Sequence, residues 1–252
     1  MAEAIDNARK TQTAYGETLS TASAKMQNAD GPTDLTAIVS TLSTATRKVQ
    51  RHTSALEKRL ESSNREVVRL REHLEQVRRD AMTDALTNLA NRKTFDEQIA
   101  RLCEEAEVEG KPLTLAIVDI DHFKRFNDTW GHQTGDQVLR YVASVLGRIS
   151  RAPRVAARYG GEEFAVIFPG ETPGTVEAAL NAIREEIGSR SLRRRSTNDD
   201  LGAVTISVGF AERRPGETAL GVLERADEAL YASKRGGRNC VTNAELMTQA
   251  AA

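Results

Sequence analysis

The stretch Val155–Phe168, VAARYGGEEFAVIF, constrains this chain more than any other. Two short runs of period 2 flank Gly160-Gly161: Val155, Ala157 and Tyr159 before it, Phe164, Val166 and Phe168 after it. Alternation of this kind predicts half-buried strands. The Gly-Gly pair between them predicts a two-residue hairpin turn, whose positive φ angles glycine adopts without strain. Glu162 and Glu163 follow at once. Successive strand side chains point to opposite faces, so the two acids are expected to do different jobs. A tip without side chains lets a ligand approach the backbone, and an acid beside it can hold a cation.

Other elements fall into order around this hairpin. Pro112–Asp121, PLTLAIVDID, is a continuous apolar run ending in acids, which predicts a buried strand with Asp119 and Asp121 where it leaves the core. Thr87 and Asn88 are turn or cap formers ahead of an amphipathic helix over about Arg92–Glu107. The expected succession is strand 112–120, helix 136–150, hairpin 155–168, helix 174–188, strand 203–211, helix 222–235 and strand 239–242. A β-α-β-β-α-β order is the ferredoxin-like plan, an α+β fold with a mostly antiparallel sheet.

The N-terminal third reads differently. In residues 2–27, Ile5, Ala8, Gln12, Tyr15, Leu19, Ala22 and Met26 alternate steps of three and four. Asn28-Ala29-Asp30-Gly31-Pro32 is a breaker cluster, and Thr33 or Asp34 can cap the helix that follows. That helix runs over about 34–82 without Gly or Pro. Its seam begins Leu35, Ile38, Leu42, Ala45, Val49 and ends Leu60, Ser63, Val67, Leu70, Leu74, Val77, Ala81. The halves differ in register by a four-residue stutter between His52 and Leu60. Such a helix spans roughly 70 Å and cannot bury its stripe alone. A helical hairpin pairing with a second chain as a four-helix bundle, continued over 60–81 as a parallel coiled coil, satisfies it. The alternative is a monomeric hairpin packed on the C-terminal domain. The expected division is an all-α region over 1–82, a domain over 83–243 and a frayed tail over 244–252.

Composition narrows the function classes. Charged residues are 28% and aromatics 4%, so the core is aliphatic and much helix is exposed. A net charge of −1 gives no general attraction for nucleic acid or anionic membrane. No run reaches the roughly 18–20 apolar residues of a membrane span, and residues 1–15 lack a signal peptide's apolar segment. These point to a cytoplasmic protein. Cys103 and Cys240 read as free thiols, and His52, His73, His122 and His132 form no zinc pattern. Arg190–Arg195 lacks aromatic interleaving and reads as a solvated loop; Trp130 reads as core filling.

Four segments carry a resemblance. Arg158–Phe164, RYGGEEF, resembles the signature of the GGDEF family, the diguanylate cyclases, in its GGEEF form. Asp84–Arg92 resembles the family's DxLTxLxNR, Asp119–Asp136 its DxDxFKxxND…GHxxGD, and Ala229–Asn239 its ALYxAKxxGRN. The likeness covers about residues 80–240. It implies a palm-type nucleotidyl cyclase that condenses two GTP into cyclic di-GMP, releases pyrophosphate and serves bacterial second-messenger signalling. It implies two Mg²⁺ ions per site, with Mn²⁺ as the other candidate, held by Asp119, Glu162 and the Ile120 carbonyl. Glu162 is also the candidate proton acceptor, with Glu163 in support. Asn127 and Asp136 are assigned to the guanine edge, where an Asp accepts from N1–H and N2–H₂, a donor pair that adenine lacks. Lys124, with the main-chain N–H groups of Phe123 and His122, is assigned to the β- and γ-phosphates, and Lys234 and Arg238 to a phosphate clamp. By themselves the last two read equally as a solvated basic helix end. One GTP per site implies that two catalytic domains must face each other, hence a homodimer through the N-terminal helices.

The likeness has a gap. Many family members carry an RxxD product-inhibition motif ahead of the hairpin; here the positions read Arg151-Ala152-Pro153-Arg154. Arg151 remains as the regulatory candidate, and the missing carboxylate implies weak or absent feedback. Two other readings stand: a receptor that only binds GTP or cyclic di-GMP, and a scaffold whose helices do the work. The N-terminal region resembles no sensor and shows neither phosphoacceptor nor cofactor site.

Overall fold

A computed structural model describes residues 2–27, 32–193 and 200–250. The chain divides into two compact units, Met1–Gln76 and Val77–Ala252. Helix α1 (Ala2–Gln27) and the long α2 (Pro32–Met82) carry the first. Tyr15 Oη and Thr46 Oγ1 are 3.2 Å apart, and Ala22 and Ile38 are buried together beside one groove, so the helices run antiparallel as the expected hairpin. α2 continues unbroken across 52–60, so the stutter is a change of phase and not a break. The helix begins at Pro32, which puts Thr33 and Asp34 inside it and not at its cap; residues 28–31 of the breaker cluster lie outside the described residues.

The second unit is built on a five-stranded sheet. The strands are β1 (Leu113–Ile120), β2 (Val155–Arg158), β3 (Glu163–Pro169), β6 (Ile206–Glu212) and β7 (Val241–Asn243), in the spatial order β2-β3-β1-β6-β7. All neighbours are antiparallel except β6 and β7. The central order β2-β3-β1-β6 is the ferredoxin-like arrangement, with β7 added at one edge. Alternation along β1 sorts the core. Ala116, Val118 and Ile120 face α5 (His132–Ile149) and α6 (Pro173–Ser189), with Phe164, Val166 and Phe168 beside them. Leu113, Leu115 and Ile117 face α3 (Arg92–Glu109) and α7 (Ala219–Arg235). At Gly209 a Cβ would collide with the backbone of Leu230 and Ala226. The missing side chain lets α7 lie directly on β6 and sets the position of the basic end of α7.

Several local features depart from expectation. A short helix α4 (Phe123–Trp130) occupies the polar segment after β1. Where a solvated loop was expected, β4 (Ser191–Arg193) pairs with β5 (Asp200–Ala203); Arg194 and Arg195 lie outside the described residues. Residues 244–250 form α8 (Ala244–Ala250) and not a frayed tail: Glu245 pairs with Arg225 and Arg214, and Ala244 is buried. Trp130 is half-buried beside a cavity of about 370 Å³ and fills no core. Cys103 and Cys240 are free thiols, as expected.

Candidate active site

Asp119 is the most constrained charge in the sheet. It lies near the end of β1, 4% exposed, facing α7 with the odd-numbered residues. Lys234 Nζ, in the last turn of α7, donates to Asp119 Oδ2 at 2.7 Å. Burial pushes the Asp119 carboxyl above its ordinary pKa; Lys234 counters this, Asp121 adds to it and Arg238 counters it again. Glu162 is also held above its ordinary value, first by burial and then by the Asp119 charge. The two acids are thus close enough to repel, and the main chain agrees: Ile120 N donates to Glu162 O at 3.4 Å.

This donor set fits a hard divalent cation. Two carboxylates disfavoured as anions by burial and by each other gain from positive charge, and the one ammonium beside them is only a partial substitute. Among the described residues no group of three His, Cys, Asp or Glu side chains converges. Two carboxylates leave room for the water and phosphate ligands that Mg²⁺ also takes.

The glycine hairpin is tighter in space than in torsion. β2 and β3 are joined by the four residues 159–162, and neither Gly160 nor Gly161 has positive φ. The expected two-residue turn is therefore absent. A Cβ at Gly160 would lie 2.5 Å from Glu163 Oε2 and would displace that carboxylate; around Gly161 there is open space. Tyr159 N and Gly160 N both donate to Glu163 O, at 2.9 and 3.1 Å. Arg158 Nη2 donates to Gly161 O at 2.8 Å, and its Nη1 meets Asp84 at 3.3 Å. Asp84 in turn accepts from Thr87 N and Oγ1, which closes the turn ahead of α3, with Asn88 at φ 57°. The register pairs Asp119 with Glu163, so Glu163 starts on the same sheet face as Asp119. The simple pleat argument that opposed the two glutamates stops at the irregular loop that holds Glu162.

Helix α4 brings the polar segment to the sheet's end. His122 sits at φ 57° and makes no side-chain cap, so the first N–H groups of α4 are free to meet an anion. Lys124 is exposed in this first turn; Phe123 is buried, leaving its main chain for contact. Asn127 lies against the start of α5, where a Cβ on Gly135 would collide with Asn127 Oδ1. That oxygen is buried and has no partner among the described residues. Asp136 follows Gly135, half-buried, also without a hydrogen-bond partner among the described residues. An orphan amide beside an unpaired carboxylate is a site for a ligand with several polar atoms. The need for Gly135 escaped sequence reasoning, because the collision joins two helices.

The degenerate RxxD positions have separate fates. Arg151 is exposed. Arg154 is not a second free cation: its Nε and Nη2 donate to Glu171 at 2.5 and 2.7 Å, and its guanidinium lies 5.3 Å from the Phe168 ring centroid.

A ferredoxin-like sheet with carboxylates at the mouth of its central strands, an uncapped helix N-terminus and a basic helix end beside them defines a palm-type nucleotide domain. The sequence profile described as "Diguanylate cyclase, GGDEF domain" matches residues 81–240, and the chain belongs to the GGDEF family. It is 34% identical over 204 residues to the diguanylate cyclase VdcA of Vibrio cholerae, covering 81% of this chain and 59% of VdcA. It is 39% identical over 173 residues to the response regulator PleD of Caulobacter vibrioides, covering 68% of this chain and 38% of PleD. Among solved structures, the coiled coil and GGDEF domain of DgcB from Caulobacter crescentus, in complex with c-di-GMP, is 67% identical with a TM-score of 0.71; the match covers 75% of this chain and 99% of that one. The diguanylate cyclase SiaD from Pseudomonas aeruginosa, in complex with its activator SiaC, is 30% identical with a TM-score of 0.63, covering 95% of this chain and 88% of that one. The chain spans less than two thirds of VdcA and well under half of PleD. No helix among the described residues is long and apolar enough to cross a membrane.

Proposed function

We propose that this chain is a cytoplasmic diguanylate cyclase that converts two GTP into cyclic di-GMP and two pyrophosphates. The observation that carries the reading is the buried Asp119, paired with the half-buried Lys234 beside Glu162, at the end of the sheet where free α4 N–H groups begin. Asp119, Glu162 and the Ile120 carbonyl would hold Mg²⁺, two ions per site. Bound there, Mg²⁺ supplies positive charge at the α-phosphate and lowers the pKa of the ribose 3′-hydroxyl.

The chain's own groups do the rest. Asp136 accepts from guanine N1–H and N2–H₂, and Asn127 meets the same edge with its unpaired amide. The α4 N-terminus and Lys124 neutralise the β- and γ-phosphates, and Lys234 and Arg238 clamp them from the end of α7. Each 3′-oxygen forms a bond to the α-phosphorus of the other GTP, the pyrophosphate bond breaks, and the 3′ proton passes to Glu162. Glu163, folded against Gly160, supports the loop. Two half-sites must face each other, so the active species is a homodimer joined through α1 and α2. SiaD was solved with an activator protein, which motivates a search for a protein partner of these helices.

The test is direct. The purified chain with GTP and Mg²⁺ is expected to form cyclic di-GMP, with ATP giving no product. Asp119→Ala is expected to reduce the rate at least about 10³-fold, the scale of losing a principal electrostatic group. Tight nucleotide binding without turnover would replace this reading with the receptor.

A further inference from the structure

The mechanism above uses Asp119 and leaves Asp121, two residues on, without a task. Asp121 is 8% exposed and saturated with donors. Ser207 Oγ donates to Oδ1 at 2.6 Å; Thr205 Oγ1 and Asn239 N donate to Oδ2 at 2.8 and 3.0 Å. Its own N–H donates to Thr205 O at 2.9 Å. One carboxylate thus joins the end of β1, the start of β6 and the turn after α7.

What it joins is strained backbone. Four non-glycine residues among those described have positive φ: Asn88, His122, Arg238 and Asn239. Three of the four adjoin this carboxylate. His122 follows it at φ 57°; Arg238 and Asn239, at 64° and 46°, form the turn whose N–H it holds. Left-handed torsions cost about 1–2 kcal/mol in residues such as His122 and Arg238, though little in an asparagine such as Asn239, and persist where surroundings over-determine them. Here Arg184 Nη1 also grips Asn239, at Oδ1 (3.2 Å) and at O (3.4 Å), and Cys240 O accepts from Val208 N at 2.9 Å. Asn239 is thus held at its N–H, its carbonyl and its Oδ1, and the main chain of Arg238 next to it is held by its N–H, which donates to Ser233 O at 3.1 Å.

We infer that Asp121 is a positioning residue: it locks the Arg238 turn to the α4 N-terminus, so that the two sides of the phosphate site keep a fixed separation. This rests on the reading of Arg238 as a phosphate ligand. The geometry also says what matters about Asp121. An asparagine can keep its oxygen toward Asn239 N and Thr205 while its NH₂ faces Ser207, whose hydroxyl can turn to accept. Shape and hydrogen bonding are then retained without the charge. Alanine retains neither.

The probe is 3′-deoxy-GTP, which lacks the attacking hydroxyl, against 3′-deoxy-GMP, both in Mg²⁺ with the full chain. Asp121→Ala is expected to weaken the triphosphate about tenfold, or 1.4 kcal/mol, and the monophosphate less than about twofold. Arg238→Ala is expected to do the same. The double variant should be no weaker than the weaker single, since both remove one coupled contact. Asp121→Asn should stay within about threefold of the unaltered chain. If Asp121→Ala does not fold, Thr205→Val removes one donor at constant shape and should give about threefold in the same pattern. If Arg238→Ala leaves triphosphate binding unchanged, both the phosphate reading and this inference fall. If Arg238→Ala weakens it but the Asp121 and Thr205 variants do not, if their losses multiply, or if Asn behaves like Ala, only the inference falls.

Discussion

The two units of the chain solve the burial problem in opposite ways. The sheet unit covers both faces of its sheet with its own helices, and Phe95, Phe164, Phe168 and Phe210 are fully enclosed. Even its surface charges are paired internally: Glu217 and Glu245 with Arg225, Glu107 with Arg213, Glu171 with Arg154. The helical unit buries Ala22 and Ile38 and leaves a stripe in water. Leu60, Leu70 and Leu74 are 67%, 60% and 69% exposed, and Val67 is exposed beside them. A long helix with an open apolar stripe gains little from folding alone, because helical stability comes mostly from packing that face. The contrast teaches that the sheet unit covers its apolar faces with its own helices, whereas the helical unit leaves an apolar stripe open, which is what the proposed pairing would cover.

The sharpest way to break this contrast is to make the stripe polar. Leu70→Asp combined with Leu74→Asp should leave the sheet unit folded, by near-UV signal, and turn a dimer into a monomer in light scattering. Cyclase activity at low protein concentration should fall at least about tenfold and recover partly on concentration, as expected for an assembly governed by mass action. A monomer with full activity would remove both the proposed pairing and the proposed role of the helices.

The same contrast explains what could be read from residues alone. Period-2 runs exposed β2 and β3, and the apolar run exposed β1, because buried strands advertise themselves through composition. The hairpin's glycines were legible as a motif but not as a geometry: neither has positive φ, and Gly160 lies against the Glu163 carboxylate, a relation that torsion rules do not encode. Helix α4 was hidden because it is eight residues long and flanked by His122 and Gly131, neither of which makes a side-chain cap. β4 and β5, three and four residues long, carry no periodic signal. Asp119 and Asp121 look alike at the end of one strand. Only partners 84, 86 and 118 residues distant make Asp121 a clamp, while Lys234 makes Asp119 half of an ion pair.

Self-sufficiency of the sheet unit also sharpens the regulatory expectation. A dinucleotide product with two phosphates would need free cations at the degenerate motif, and Arg154 is already committed to Glu171. Arg151 alone offers one exposed charge, whose attraction in water is small and screened. Steady-state rates should therefore change less than about twofold on adding product, with no difference between the unaltered chain and Arg151→Ala. Strong inhibition that Arg151→Ala abolishes would show that Arg154 exchanges Glu171 for the ligand.

The smallest effect tests where the sheet unit is not self-sufficient. Like Asp119, Glu162 sits in an environment that favours its neutral form, through burial first and the Asp119 charge second. A carboxylate whose pKa rises on folding opposes the folded state when ionised. Its opposition is absent below the ordinary value of about 4.5, grows as pH rises through the raised folded-state value, and is complete above it. Glu162→Gln should therefore raise the melting temperature slightly at neutral pH in chelator, and the gain should vanish near pH 4. Adding Mg²⁺ should reverse the order, stabilising the unaltered chain more than the variant. If the variant is less stable at pH 7 and Mg²⁺ shifts both equally, Glu162 is an ordinary structural residue, and the sheet unit is as complete without a cation as it is without a second chain.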